Sequence, residues 1–156
     1  YQQIITYVVV IQNKKVFLYE RPVKGATDES RYASKLSIGV GGHIEPIDEL
    51  DDEKDIVIAS LKREIEEELG YREELIVTHK GYINFSPTVI ETAGQDLDSV
   101  HFGLVFVAEI KEHDFVFDKG IVNGQFKTVE ELKTPEIYSR LENWSKVLVD
   151  NIHKII

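Results

Sequence analysis

The eight residues Arg63-Glu64-Ile65-Glu66-Glu67-Glu68-Leu69-Gly70 constrain this chain more than any other stretch. Four of the first six are glutamates. On a helix, Glu64, Glu67 and Glu68 stand at i, i+3 and i+4 and share one face. At about 100° per residue they fall within an arc of roughly 100°. Ile58, Leu61, Ile65 and Leu69 form a separate apolar stripe about 100° around the axis. Such a helix packs on a core through one stripe and presents three carboxylates beside it. Two readings stand at this point. Acidic runs on helices are usually solvated faces. Against that, Glu64 and Glu68 are a like-charged i,i+4 pair, and the cluster lies in the last turns before the C-cap residue Gly70, where the macrodipole disfavours negative charge. A hard divalent cation would remove both penalties, because it takes several carboxylate oxygens.

The 156 residues suggest one domain spanning 1–156, large enough for a core that buries about 70% of the unfolded surface. A net charge of −10 argues against a broad nucleic-acid or anionic-membrane surface. It leaves room for a small phosphorylated ligand, since bound cations reverse the local sign. There is no cysteine, which excludes disulfides, thiolate nucleophiles and zinc–thiolate sites. No apolar run reaches transmembrane length and no signal peptide is visible, so the cytoplasm is the simplest compartment. Methionine is absent, even at the start. Either the natural start lies upstream, or modified methionines are missing from the written sequence and some spacings are short by a residue.

Along the chain, Gln3–Ile11 is rich in β-branched residues and predicts a buried strand, joined through Gln12-Asn13-Lys14-Lys15 to a second strand at Val16–Tyr19. Arg21 follows, either a strand-end surface charge or a group that meets a substrate phosphate. Val23–Lys35 is a loop. A short strand at Leu36–Val40 then runs into the turn Gly41-Gly42, whose glycines permit positive φ or close backbone approach. Ile47–Asp55 is an acidic loop, with a helix N-cap expected at Asp51 or Asp52. Further strands are expected at Leu75–Phe85, Val100–Ile110 and Gly124–Lys127. Thr128-x-x-Glu131 has the capping-box pattern, and a last core-packed helix is expected over Pro135–Ile152. Irregular alternation of strands and helices argues for an α/β fold, a mixed sheet with helices on both faces.

Arg63–Gly70 resembles the second half of the Nudix box of the MutT-like hydrolases, Gly-x5-Glu-x7-Arg-Glu-U-x-Glu-Glu-x-Gly-U, where U is bulky aliphatic. Arg63, Glu64, Ile65, Glu67, Glu68 and Gly70 match position by position, and Tyr71 stands at the last aliphatic place. Gly41-Gly42-His43-Ile44-Glu45-Pro46 is similar to the opening of the box. Counting on from Gly42 reaches Asp48 where the box has glutamate. Fourteen residues then separate Asp48 from Arg63 in place of seven, so the loop before the helix reads as expanded.

The resemblance implies a Nudix-type α/β/α sandwich that hydrolyses a diphosphate linkage in a nucleoside-diphosphate-type substrate. It makes Glu64, Glu67 and Glu68 ligands of Mg2+ or Mn2+, with the Gly41 carbonyl completing the shell. Glu64 or Glu68 would act as general base, and Arg63 would hold the loop and a helix carboxylate. Arg21, Gly42 and His43 would contact the substrate. In some relatives the base comes from a later loop, where Glu112, Asp114 and Asp118 are the candidates. Pro87 is placed like a proline of the ADP-ribose pyrophosphatases. Many such enzymes are dimers, which leaves a homodimer open. The expanded loop motivates an alternative, a non-catalytic Nudix-type domain that senses a nucleotide or binds a partner.

Overall fold

A computed structural model of the chain describes residues 3–22, 35–50, 55–83 and 101–156. All of the expected loop Val23–Lys35 but its last residue, the caps expected at Asp51 or Asp52, and Pro87 lie outside those residues. Strands β1 (Gln3–Gln12), β2 (Lys15–Glu20), β3 (Leu36–Ser37) and β4 (Gly39–Val40) lead to a short 3-10 helix at Pro46–Leu50 and then to helix α1 (Ile56–Leu69). After α1 come β5 (Ile76–Ile83), β6 (His101–Glu109) and β7 (Val122–Lys127), and four short helices, α2 (Val129–Leu132), α3 (Pro135–Tyr138), α4 (Asn143–Asp150) and α5 (Ile152–Ile155).

The described strands form one mixed sheet in the order β3-β2-β1-β6-β5, with β4 added to β1 and β7 to β2. The β1–β6 pair is parallel, in register from Gln3–His101 to Ile11–Glu109. The other pairs are antiparallel. At the β1–β2 turn Asn13 and Lys14 both have positive φ (49° and 64°), the conformation whose twist suits a two-residue hairpin.

Strand periodicity sends alternate residues of β1 to opposite faces. Val8 and Val10 pack with Leu61, Ile65 and Leu69 of α1, along with Phe17, Val40 and Phe106. Tyr7, Val9 and Ile11 pack instead with Leu132, Leu141, Trp144, Leu148 and Ile152 from the C-terminal helices. A sheet covered on both faces is the α/β/α sandwich the sequence predicts, and β1 is buried on each side because it is its central strand.

The C-terminal segment departs from the single helix expected over Pro135–Ile152. It is broken at 139–142. There Arg140 accepts a hydrogen bond from Leu36 N–H (2.9 Å) and Glu142 N–H donates to the Leu36 carbonyl (2.9 Å). The backbone leaves the helix to pair with β3, which the i, i+4 spacing of Ile137 and Leu141 hides. The capping box does form: Thr128 Oγ1 accepts from Glu131 N–H (3.2 Å) and Glu131 Oε1 from Thr128 N–H (3.0 Å).

Tight packing between β4 and β1 is visible at Gly39, where an added Cβ would lie 2.0 Å from the Tyr7 ring. Tyr7 is held on several sides and cannot withdraw. Gly39→Ala is therefore expected to destabilise the protein by on the order of 2–3 kcal/mol, measured by denaturant unfolding.

Candidate active site

Helix α1 begins at Asp55, whose Oδ1 accepts from Val57 N–H (2.9 Å) and Ile58 N–H (3.4 Å). The cap expected at Asp51 or Asp52 is thus three or four residues too early. The acid preceding the first apolar residues of the helix wins, and the 3-10 turn at Pro46–Leu50 occupies part of the stretch before it. The helix ends at Gly70 in the left-handed conformation (φ 67°), as its position predicts. Tyr71, the departure from the aliphatic pattern, is buried, and its hydroxyl donates to the Glu74 carbonyl (2.7 Å) and accepts from Lys111 N–H (3.2 Å). Its ring serves as the bulky residue while its oxygen is satisfied.

Asp48 stands at the box glutamate's place and is 3% exposed. Arg63 Nε donates to its Oδ1 at 2.7 Å and Nη2 to its Oδ2 at 3.4 Å. Glu45 N–H also donates to Oδ2 (2.8 Å). The same guanidinium reaches the His43 carbonyl (3.1 Å), Glu67 Oε2 (3.1 Å) and Glu64 Oε1 (3.1 Å). One planar fork thus ties the loop to the helix. Asp48 does so despite being one methylene shorter than glutamate.

The Gly-Gly turn lies directly against the carboxylate helix. Gly41 has φ +150°, and a Cβ on it would sit 2.1 Å from the Thr6 carbonyl. A Cβ on Gly42 would sit 2.6 Å from Glu64 Oε1. Gly41 admits no side chain, and one at Gly42 would have to displace the Glu64 carboxylate, so bare backbone faces Glu64. Thr6 N–H donates to the Gly42 carbonyl (3.0 Å), which fixes the turn on β1. His43 is exposed, and its main chain bridges to Ile5.

Of the three helix carboxylates, Glu64 is buried, Glu68 is half-buried and Glu67 is exposed. Burial pushes the Glu64 carboxyl up to about 6; Arg63 opposes this, and Glu67 and Glu68 add to it. Burial also raises Glu68, with a further contribution from Asp118 and an opposing one from Arg21. Asp118 is thereby the later-loop acid that reaches this face. Its N–H donates to the Glu68 carbonyl (2.9 Å). Glu112 is bonded instead to Asn13 of the β1–β2 turn (3.0 Å), and Asp114 is exposed beside it.

Among the described residues, no three His, Cys, Asp or Glu side chains lie close enough together to hold a metal ion. The donor chemistry nonetheless suits a hard cation. All three groups are carboxylates, and two of them are carried in environments that penalise their charge. A divalent cation offsets such a penalty.

Arg21, at the end of β2, does meet other groups. Nε donates to Glu142 Oε1 at 2.6 Å, and its guanidinium lies 5.3 Å from the Tyr19 ring centroid. Arg21, Gly41, Gly42 and His43 line one cleft of about 360 Å3 together with Thr6, Tyr7, Glu142 and Trp144. Tyr7 and Glu142 are functional candidates that sequence reasoning missed. In an apolar strand, Tyr7 reads as core, and Glu142 was hidden inside a presumed continuous helix.

No model of a known protein family matches the chain. Protein YmaB of Bacillus subtilis (strain 168) is 37% identical over 155 residues, covering 96% of this chain and 70% of YmaB. The fold is shared with solved structures, among them the following three. A NUDIX hydrolase from Nitrosomonas europaea has a TM-score of 0.66 at 18% identity, covering 98% of this chain and 89% of its own. The MutT protein from Methanosarcina mazei Go1 gives 0.63 at 17%, with 98% and 94% covered. The NUDIX domain of Shewanella oneidensis NrtR, complexed with ADP ribose, gives 0.66 at 11%, with 99% and 88% covered. With the box-like stretch Arg63–Gly70 on the helix of this sandwich, the chain has the fold of the Nudix hydrolases.

Two expectations follow. Asp48→Asn removes the most deeply buried of the Arg63 counter-charges and should cost roughly 3 kcal/mol at pH 7. Arg63 holds the Asp48 carboxyl below its ordinary value of 3.8. That contribution is present above the unfolded-state value and lost as pH falls through the folded one. The gap between parent and variant in urea unfolding should therefore narrow below about pH 4. Glu64 has the opposite sign. Its folded preference for the neutral form is fully stabilising below 4.5 and is lost as pH rises through about 6. Glu64→Gln should thus raise the stability of metal-free protein by roughly 1–2 kcal/mol at pH 7, with no gain below pH 4.5.

Proposed function

We propose that residues 1–156 act as one Nudix domain that hydrolyses a diphosphate linkage in a small nucleoside-diphosphate-type substrate, in the cytoplasm and with a divalent metal. The observation that carries this reading is the apposition of Glu64 to the bare Gly41-Gly42 backbone, at the edge of a cleft that also holds Arg21. Glu64, Glu67 and Glu68 would hold Mg2+ or Mn2+, with the Gly41 carbonyl as a further oxygen donor. When bound, such a cation supplies charge neutralisation at the phosphates and acidifies water.

The remaining work falls to the chain itself. Arg63 orients Glu64 and Glu67 by direct contacts and holds the loop through Asp48. Glu64 and Glu68, both raised from the ordinary carboxylate value, are suited to take a proton from water near neutral pH. Asp118 stands beside Glu68 as the loop acid placed to share that task. Trp144 and Ile5 give the cleft apolar wall, against which a nucleoside packs while its phosphates face Arg21 and the glycine turn. The ADP ribose bound by the NrtR domain is a ligand of this chemistry and belongs in the first substrate panel.

The test is phosphate or nucleotide release from nucleoside triphosphates, nucleotide sugars, ADP-ribose and dinucleoside polyphosphates, with Mg2+ and with Mn2+. Glu67→Gln and Glu68→Gln should each lower kcat at least about 100-fold while keeping the parent's circular dichroism and melting profile. Full activity in both variants overturns the assignment. Tight binding of a panel member without turnover would favour the sensing alternative.

A further inference from the structure

Glu142 occupies the N-cap position of α4, yet its side chain makes no capping bond. It turns instead toward the cleft and gathers donors from three other elements. Its Oε2 accepts from the Tyr7 hydroxyl (2.6 Å, β1) and from Ser37 Oγ (2.9 Å, β3), and its Oε1 accepts from Arg21 Nε (2.6 Å, after β2). Arg21 Nη2 adds longer bonds to Glu142 Oε2 (3.5 Å) and to Ser37 Oγ (3.4 Å). Because Tyr7 has one proton and gives it to Glu142, Ser145 Oγ must donate in its 2.7 Å contact with Tyr7. Ser145 Oγ accepts from Ile38 N–H (3.0 Å), and Ser37 Oγ accepts from Gly39 N–H (3.1 Å). The carboxylate is thus clamped by groups that are themselves fixed on the sheet.

The clamp converges on Arg21. One edge of its guanidinium is held by Glu142 and Ser37, and one face lies over Tyr19, whose hydroxyl is anchored on the Gly39 carbonyl (2.6 Å). Its side chain nevertheless stays 47% exposed and lines the cleft. An exposed arginine normally samples many rotamers, and ordering it costs binding free energy. Here the ordering is done before any ligand arrives. A network of this size would be excessive for tying down a surface charge.

We propose that Glu142 is a positioning residue for substrate recognition: it presets the Arg21 guanidinium at the cleft so that a phosphate of the diphosphate meets a fixed donor fork. The inference rests on the diphosphate reading above. The rival role, in which Glu142 merely neutralises Arg21 or staples α4 to β2, predicts a different sign. Removing the Glu142 charge would then leave diphosphate binding unchanged or make it tighter, since the cleft becomes more positive.

The experiment measures the Kd of α,β-methylene-ADP, a non-hydrolysable diphosphate, by calorimetry in MgCl2 buffer. The fluorescence of Trp144, the chain's one tryptophan, reports whether the ligand enters this cleft. Arg21→Ala and Glu142→Gln should each weaken binding about tenfold, and the double variant should be no weaker than Arg21→Ala alone. Ser37→Ala, which removes one donor to Glu142 and alters no charge, should give an intermediate loss. With a turned-over substrate, these variants should raise KM and leave kcat within about twofold. Equal or tighter binding by Glu142→Gln, multiplied losses in the double variant, or no binding of the analogue by the parent would overturn the proposal. Parent protein that binds the analogue with these dependences but cleaves no diphosphate refutes the hydrolase reading alone. Cleavage with KM unmoved in the variants refutes the positioning role alone.

Discussion

The Arg63–Asp48 pair is the interaction on which the candidate site depends. Asp48 is almost fully buried and Arg63 is mostly so, and two charges taken out of water this far stabilise a structure only when their hydrogen bonds are complete. Here they are: Asp48 accepts from Arg63 and from Glu45 N–H, and the guanidinium spreads over Asp48, the His43 carbonyl, Glu64 and Glu67. The pair therefore determines geometry rather than simply adding stability. It sets how far the Gly41-Gly42 turn stands from the helix. It also keeps Glu64 beside backbone that carries no side chain.

Charge placement on the helix follows from that constraint. Left to itself, α1 would not carry Glu64 in a buried position, and Glu67 and Glu68 worsen the repulsion. Arg63 relieves part of it but is already shared among four partners. The residual cost is concentrated on Glu64 and Glu68, the two residues whose carboxyls rise toward neutrality. On the proposed reading a bound cation would offset that cost, since neighbouring carboxylates that repel one another favour positive charge between them.

Much of this was legible from the residues. The i, i+3, i+4 glutamates, the apolar stripe of Leu61, Ile65 and Leu69, and Gly70 as C-cap are local patterns set by helix geometry, and each is found where the spacing puts it. Asp48 could be counted to, but not judged, because its role depends on a side chain fifteen residues away closing back on it. The helix start was misplaced because several acids in a row each make an acceptable cap. The break at Leu141 was invisible for a different reason. Leu141 is fully buried whether the segment is helical or paired with β3, so hydrophobic spacing does not distinguish the two.

The Tyr7–Glu142–Arg21 network lies at the far limit of what spacing reveals. Its members are distant in sequence, and each has an ordinary local explanation. They meet only because β1 is the central strand, flanked by β2, β4 and β6, with α4 on one face. That position makes β1 a relay between the two sides of the sandwich. Val8 and Val10 support the carboxylate helix, Tyr7 holds Glu142 and Ser145 of the C-terminal segment and, through Glu142, Arg21, and Thr6 pins the glycine turn between them. Successive residues of one strand point to opposite faces, so a single extended segment registers both halves of the site against each other. A change in the placement of β1 would move the helix carboxylates and the cleft arginine together, which is the coupling a site built from two layers requires.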